Sequence, residues 1–233
     1  MSLKNLRKEL QFKANKEKAI SFRKYFKTGK GEYGEGDIFL GITVPEERKI
    51  AINFANSVTL KDAEKLLKSK IHEERFVALE ILVFKYGKGN LKEREEIYHF
   101  YLKNTEFINN WDLVDTSARY IVGNHLINKN KSILYKLAKS KNLWEKRIAM
   151  ISTYEFIKND KFEDALRISK ILLGDSHDLI HKAVGWILRE IGNRNKKILE
   201  DFLKKHYKKI PRTMLRYAIE KFPEKKRKEY MKK

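Results

Sequence analysis

Asp115 stands one helical turn after Trp111 and one before Arg119, in the run NNWDLVDTSARYIVG (residues 109–123). At i and i+4, Trp111 and Asp115 share a helix face, with Arg119 rotated slightly further round. Val114, Ala118, Ile121 and Val122 form an apolar stripe beside them, so the Trp–Asp edge borders solvent or a groove. Two readings are open. Asp115 pairs with Arg119 on an ordinary surface helix while Trp111 fills core. Alternatively, cations at equivalent positions elsewhere hold Asp115 in its ionised form. A fixed anion in a polyanion-binding groove weakens binding, so on this second reading it has a compensating task.

Other constellations carry cations beside indoles. Lys182, Trp186 and Arg189 follow one another at about one turn in HDLIHKAVGWILRE, and Trp144 and Arg147 are three apart in NLWEKRIAM. A helical tryptophan usually fills core. Trp144, at the start of its helix, is assigned there, whereas Trp111 and Trp186 are placed at a groove surface. His177 and His181 have metal-ligand spacing but neither a zincin glutamate nor a third ligand, so no metal is expected. Gly29, Gly31 and Gly34 spell GxGxxG, yet no strand precedes them, so no dinucleotide site is expected, and no phosphate loop or Gly-x-Ser-x-Gly elbow occurs. The absence of cysteine among 233 residues excludes disulfides, thiolate zinc sites and a cysteine nucleophile.

The elements that hold these residues read as helices throughout. Stretches such as TLKDAEKLLKSK, HEERFVALEILVFKYG and DKFEDALRISKILLG repeat apolar residues at i, i+3, i+4 and i+7, with no sustained period-2 alternation. Pro45 and Pro211 read as first-turn residues. The helices come in pairs whose second members align at Arg75, Asp115, Arg147, Lys182 and Arg216, spaced 40, 32, 35 and 34 residues apart. This is the period of an α-solenoid of HEAT or armadillo type, in which equivalent positions stack into a row on a concave face. Residues 1–233 are read as one repeat domain, with N-terminal helices and a glycine-rich loop over 1–45 and helix pairs over 46–233. The formal charge of +21 is concentrated at the ends: residues 1–30 hold ten Lys/Arg against two acids and residues 196–233 fifteen against five. That balance suits a phosphate backbone. A solvated surface produced by lysine-rich composition is the alternative. No membrane span or leader is apparent, and a cytoplasmic protein is expected.

Four motifs together resemble the DNA alkylation repair family, the AlkD-type DNA glycosylases: FLGITVPEER (39–48), NNWDLVD (109–115), WEKRIAM (144–150) and AVGWILRE (183–190). The resemblance implies a HEAT-like solenoid that cups double-stranded DNA and removes N3- or N7-alkylated purines, leaving the lesion stacked rather than flipped. It makes Asp115 the catalytic carboxylate, puts Trp111 and Trp186 against the damaged nucleotide, and has Arg147 support the DNA backbone. Arg75, Lys182, Arg189 and Arg216 are expected on phosphates, and Tyr25 or Phe26 facing DNA. Departures from the family pattern are Lys146 before Arg147, where two arginines are common, and the insertion GKGEYGEGD.

The alkylated purine already carries positive charge, so no general acid is needed, and a pre-positioned carboxylate stabilises the oxocarbenium-like sugar and orients water. No lysine suggests a lyase step. A monofunctional, cofactor-free monomer of base excision repair, nucleoid-associated when on DNA, is therefore expected. The rival is a non-catalytic HEAT-repeat module for nucleic acid or protein.

Overall fold

The computed structural model describes residues 2–232, which divide into two compact units between Ile121 and Val122. Both are helical, and no strand occurs among the described residues beyond an isolated parallel bridge, Ile38 to Ile71.

The first unit contains α1 (Leu3–Phe12), α2 (Lys16–Tyr25), α3 (Val44–Phe54), α4 (Leu60–Leu67), α5 (His72–Lys88), α6 (Leu91–Lys103) and α7 (Trp111–Ala118). Polar residues before each helix start it: Ser2, Asn15 and Asn110 cap α1, α2 and α7. Thr59 with Asp62 and Asn90 with Glu93 form reciprocal capping boxes on α4 and α6. Pro45 lies in the first turn of α3, where its missing N–H costs nothing. α5 is the axis of the unit, packed by α1, α3, α4, α6 and α7, and every residue from His72 to Leu79 is buried.

The glycine-rich segment between α2 and α3 is a loop, and two of its glycines are sterically required. A Cβ on Gly34 would come within 2.5 Å of the Phe26 carbonyl oxygen, and one on Gly41 would overlap the Asn15 carbonyl. Gly41 also sits at φ +82°, in the left-handed region that favours glycine. The loop thereby folds back on α2, with Asn15 N–H donating to the Leu40 carbonyl at 2.8 Å.

The second unit contains α8 (Asn124–Leu126), α9 (Ser132–Ala138), α10 (Leu143–Ser152), α11 (Tyr154–Lys158), α12 (Glu163–Leu172), α13 (Asp178–Arg194), α14 (Lys196–His206), α15 (Arg212–Ala218) and α16 (Glu224–Met231). α13 packs against α10, α11, α12, α14 and α15. Its approach to α15 depends on Gly185, where a Cβ would lie 2.5 Å from Tyr217 Cβ and 2.6 Å from the Met214 carbonyl oxygen. Pro211 does not enter the first turn as its sequence suggests. It caps α15 from just outside, in extended backbone (ψ 144°), as Pro223 does for α16. A π turn, Arg119–Gly123, follows α7.

Candidate active site

Trp111 opens α7, its N–H donating to the capping side chain of Asn110 at 2.8 Å. Asp115, one turn later, is half-buried, as is Trp111. Both line a cavity of about 660 Å³ in the first unit, whose other walls come from the end of α2 and the residue that caps it (Tyr25, Phe26), the glycine-rich loop (Phe39, Ile42), α3 (Glu47) and α5 (His72, Phe76). The walls are largely aromatic. Trp111 stacks on Phe26 (centroids 5.4 Å, planes 14° apart) and Phe26 on Phe39 (5.0 Å, 19°). Tyr25, 64% exposed, meets Trp111 edge-on at 5.9 Å. Phe39 stacks on His72 at 4.5 Å.

A charged network lies beneath these rings. His72 Nε2 is 2.7 Å from Asp112 and Nδ1 is 3.2 Å from Asp37, while Arg75 reaches the same Asp37 carboxylate at 2.6 Å. Burial alone would push the imidazole down, but the Asp112 and Asp37 carboxylates outweigh it and carry its pKa up to about 9. Burial raises Asp37, and the His72 and Arg75 contacts overcome it to hold that carboxyl below its ordinary range. Glu73, also buried, accepts from three successive backbone amides, Leu40 (2.9 Å), Gly41 (2.8 Å) and Ile42 (3.4 Å). The FLGI motif is therefore fastened to the first turn of α5 by one side chain.

Arg75 departs from its expected place. It is 3% exposed, its guanidinium is committed to Asp37 and to the Ser69 carbonyl (2.8 Å), and a side chain so enclosed has no phosphate to meet. Its alignment with surface cations follows from helix register; its burial follows from the loop that brings Asp37 over it.

The second unit holds the remaining predicted residues. Trp186, half-buried on α13, stacks on Tyr154 (5.2 Å, 17°). Trp144 is buried. Arg147, 6% exposed, donates to the Leu179 carbonyl at 2.6 Å and so braces α10 against the start of α13. Lys182 pairs with Asp178 at 2.7 Å on the surface. Arg189 pairs with Glu190 and Glu220. Arg216 is exposed on α15. His177 caps α13 by accepting from Leu179 N–H, and His181 bonds the Asp175 carbonyl.

Reading for isolated motifs passed over Asp37, Glu47, His72 and Asp112. Asp112 lies within the quoted WDLVD motif, three residues from Asp115. His72 and Arg75 lie in the run HEER, which is indistinguishable from a solvated helix start until the partner loop is known.

The arrangement is an all-helical, α-solenoid-like fold carrying a carboxylate and a tryptophan on the wall of an aromatic cavity. The sequence profile of the DNA alkylation repair enzyme family matches residues 6–222, and the chain belongs to that family. Membership assigns it an enzyme's role in alkylation repair, with DNA as substrate. A solved structure described as a predicted DNA alkylation repair enzyme from Enterococcus faecalis shares the fold at a TM-score of 0.68, with 17% identity over 91% of this chain and 98% of that one. Comparison with curated proteins gives no significant match. Among the described residues no helix is long and apolar enough to cross a membrane.

Proposed function

We propose that the chain is a monofunctional N-alkylpurine DNA glycosylase acting on double-stranded DNA, with Asp115 as its catalytic carboxylate. The observation that carries this reading is the position of Asp115: half-buried, one turn from Trp111, on the same aromatic cavity wall. An N3- or N7-alkylated purine is a cationic leaving group, so its glycosidic bond breaks without a general acid. Positive charge then moves onto the deoxyribose. A carboxylate fixed beside it gains more interaction with that state than with the ground state, which is the condition for lowering the barrier. The same oxygens orient water for attack at the anomeric carbon. Trp111 excludes bulk water beside the developing cation, and Trp186 contacts the DNA. Lys182, Arg189 and Arg216 contact phosphates, with Arg147 bracing the start of α13 from within.

The test is base release from methylated duplex DNA. The wild type is expected to liberate 3-methyladenine or 7-methylguanine and leave intact abasic strands. Asp115→Asn is expected to bind the same DNA and lose roughly 10²–10³ in rate. Release by the Asn variant at the wild-type rate rejects the role of Asp115. Binding without any release by the wild type makes the chain a non-catalytic module.

A further inference from the structure

Cations of the second unit fall into two groups, those that hold carboxylates and those that do not. Lys182 and Arg189 on α13 already face Asp178, Glu190 and Glu220 of their own unit. On α14, Lys204 pairs with Asp201 at 3.6 Å and Lys196 with Glu200 at 3.9 Å. Lys170 on α12, Lys205 on α14 and Lys209 just beyond it are exposed and have no carboxylate partner among the described residues.

These unpaired cations are gathered, not scattered. A groove of about 310 Å³ runs between α12 and α14, with Arg167 and Lys170 on one side and Lys205 and His206 on the other. Its floor is apolar, from Ile198 and Phe202, and the His206 ring lies against Phe202 with centroids 4.7 Å apart. The groove contains one acid, Asp201, whose charge Lys204 answers. His206 registers the excess: burial first, then the ammoniums of Lys170, Lys205 and Lys209, hold its pKa below the ordinary imidazole value. Cations from both helices therefore act on one ring. Charges of one sign lining a cleft with apolar walls focus the potential and concentrate counter-ions there, which an isolated solvated lysine does not.

The ligand that fits such a groove carries anionic groups joined by less polar segments. Phosphates suit the rim and sugar faces suit the floor, which is the pattern of a nucleic-acid backbone. DNA is the substrate of the family to which the chain belongs.

We propose that the α12–α14 groove is a second DNA-backbone site, holding a duplex segment other than the one under repair. The proposal goes beyond the glycosylase reading and needs only the family's DNA substrate. Arg147, Lys182, Arg189 and Arg216, which that reading uses, lie on α10, α13 and α15 instead. One chain then bridges two duplexes and passes between them without full release.

The experiment uses the full chain with two undamaged duplexes, one carrying a donor dye and the other an acceptor. Energy transfer reports bridging, sedimentation gives the mass of the complex, and circular dichroism checks that each variant is folded. The wild type is expected to bind two duplexes per chain and to show transfer. Lys170→Gln/Lys205→Gln is expected to bind one, to lose transfer, and to reduce the salt slope of the second binding step by about two. Lys61→Gln/Lys92→Gln, which removes the same charge from exposed positions of the first unit, is expected to behave as the wild type.

One duplex per chain in the wild type, transfer only in complexes of two chains, both duplexes retained by the groove variant, or an equal loss in the first-unit variant each overturns the proposal. Vesicles of phosphatidylcholine with phosphatidylserine, and polyglutamate, are titrated in parallel. If the groove variant loses either of these while its duplex binding is unchanged, the groove belongs to a lipid surface or an acidic protein and the proposal fails. Base release from methylated DNA is read separately, and the groove variant is expected to match the wild type. Bridging without base release rejects the glycosylase reading alone, and base release without bridging rejects this site alone.

Discussion

α5 and α13 are both seventeen residues long, and each is the helix around which its own unit packs. Both carry cations at the aligned positions, yet they treat charge oppositely. α5 buries His72, Glu73, Glu74 and Arg75 at its very start, each 4% exposed or less. α13 keeps Lys182 on the surface, its side chain 42% exposed, and pairs it with Asp178 on the same helix. The difference is supplied by the partners. The loop between α2 and α3 brings Asp37 and three backbone amides to α5, α1 brings Arg7 to Glu74 at 3.0 Å, and α7 brings Asp112. Charge enters a helical interior where other segments arrive with complementary groups; otherwise it remains in water.

The largest expected effect concerns Arg75. Its removal leaves Asp37 buried with a single cationic partner, so Arg75→Ala should lower unfolding free energy in urea by about 3–5 kcal/mol. A loss below about 1 kcal/mol would mean that the two helices handle charge alike. Next comes His72. Its folded-state pKa of about 9 lies above the ordinary imidazole value of 6.5, so its contribution is complete below pH 6.5 and disappears as pH rises through 9. That loss is on the order of 3 kcal/mol. Wild-type stability relative to His72→Gln should therefore fall across this window, and parallel pH profiles of the two proteins would contradict the buried imidazolium. The smallest effect belongs to Lys182→Ala. Loss of its exposed pair should change stability by about 1 kcal/mol or less, while reducing the slope of log DNA affinity against log salt by about one. An unchanged slope would remove Lys182 from the phosphate contacts and sharpen the contrast with the interior charges.

Much of this was legible in the residues. Helix periodicity, the Asn and Thr starts, Pro45 and the core place of Trp144 all reflect local preference or one-sided hydrophobicity, which a sequence displays directly. Trp111 and Asp115 could be put on one face because i and i+4 spacing fixes a face. The fate of Arg75 could not be read that way. HEER looks solvated because nothing local announces that Asp37, thirty-eight residues earlier than Arg75, folds over it. Glu47 was hidden for the same reason: VPEER has the acidic first turn of many exposed helices, and only the tertiary structure encloses its second acid. Pro211 was misplaced by one residue, a shift within the ordinary uncertainty of helix boundaries.

The grip of Glu73 on consecutive amides has a mechanical consequence. One rim of the cavity is welded to the helix behind it, so the loop and α5 respond to load as a single block. α2, by contrast, buries no side chain completely. Its hold on the cavity runs through that same block, by the Asn15–Leu40 bond and the close approach of Ala19 to Gly41, so a change that loosens the Glu73 grip is transmitted to α2 as well.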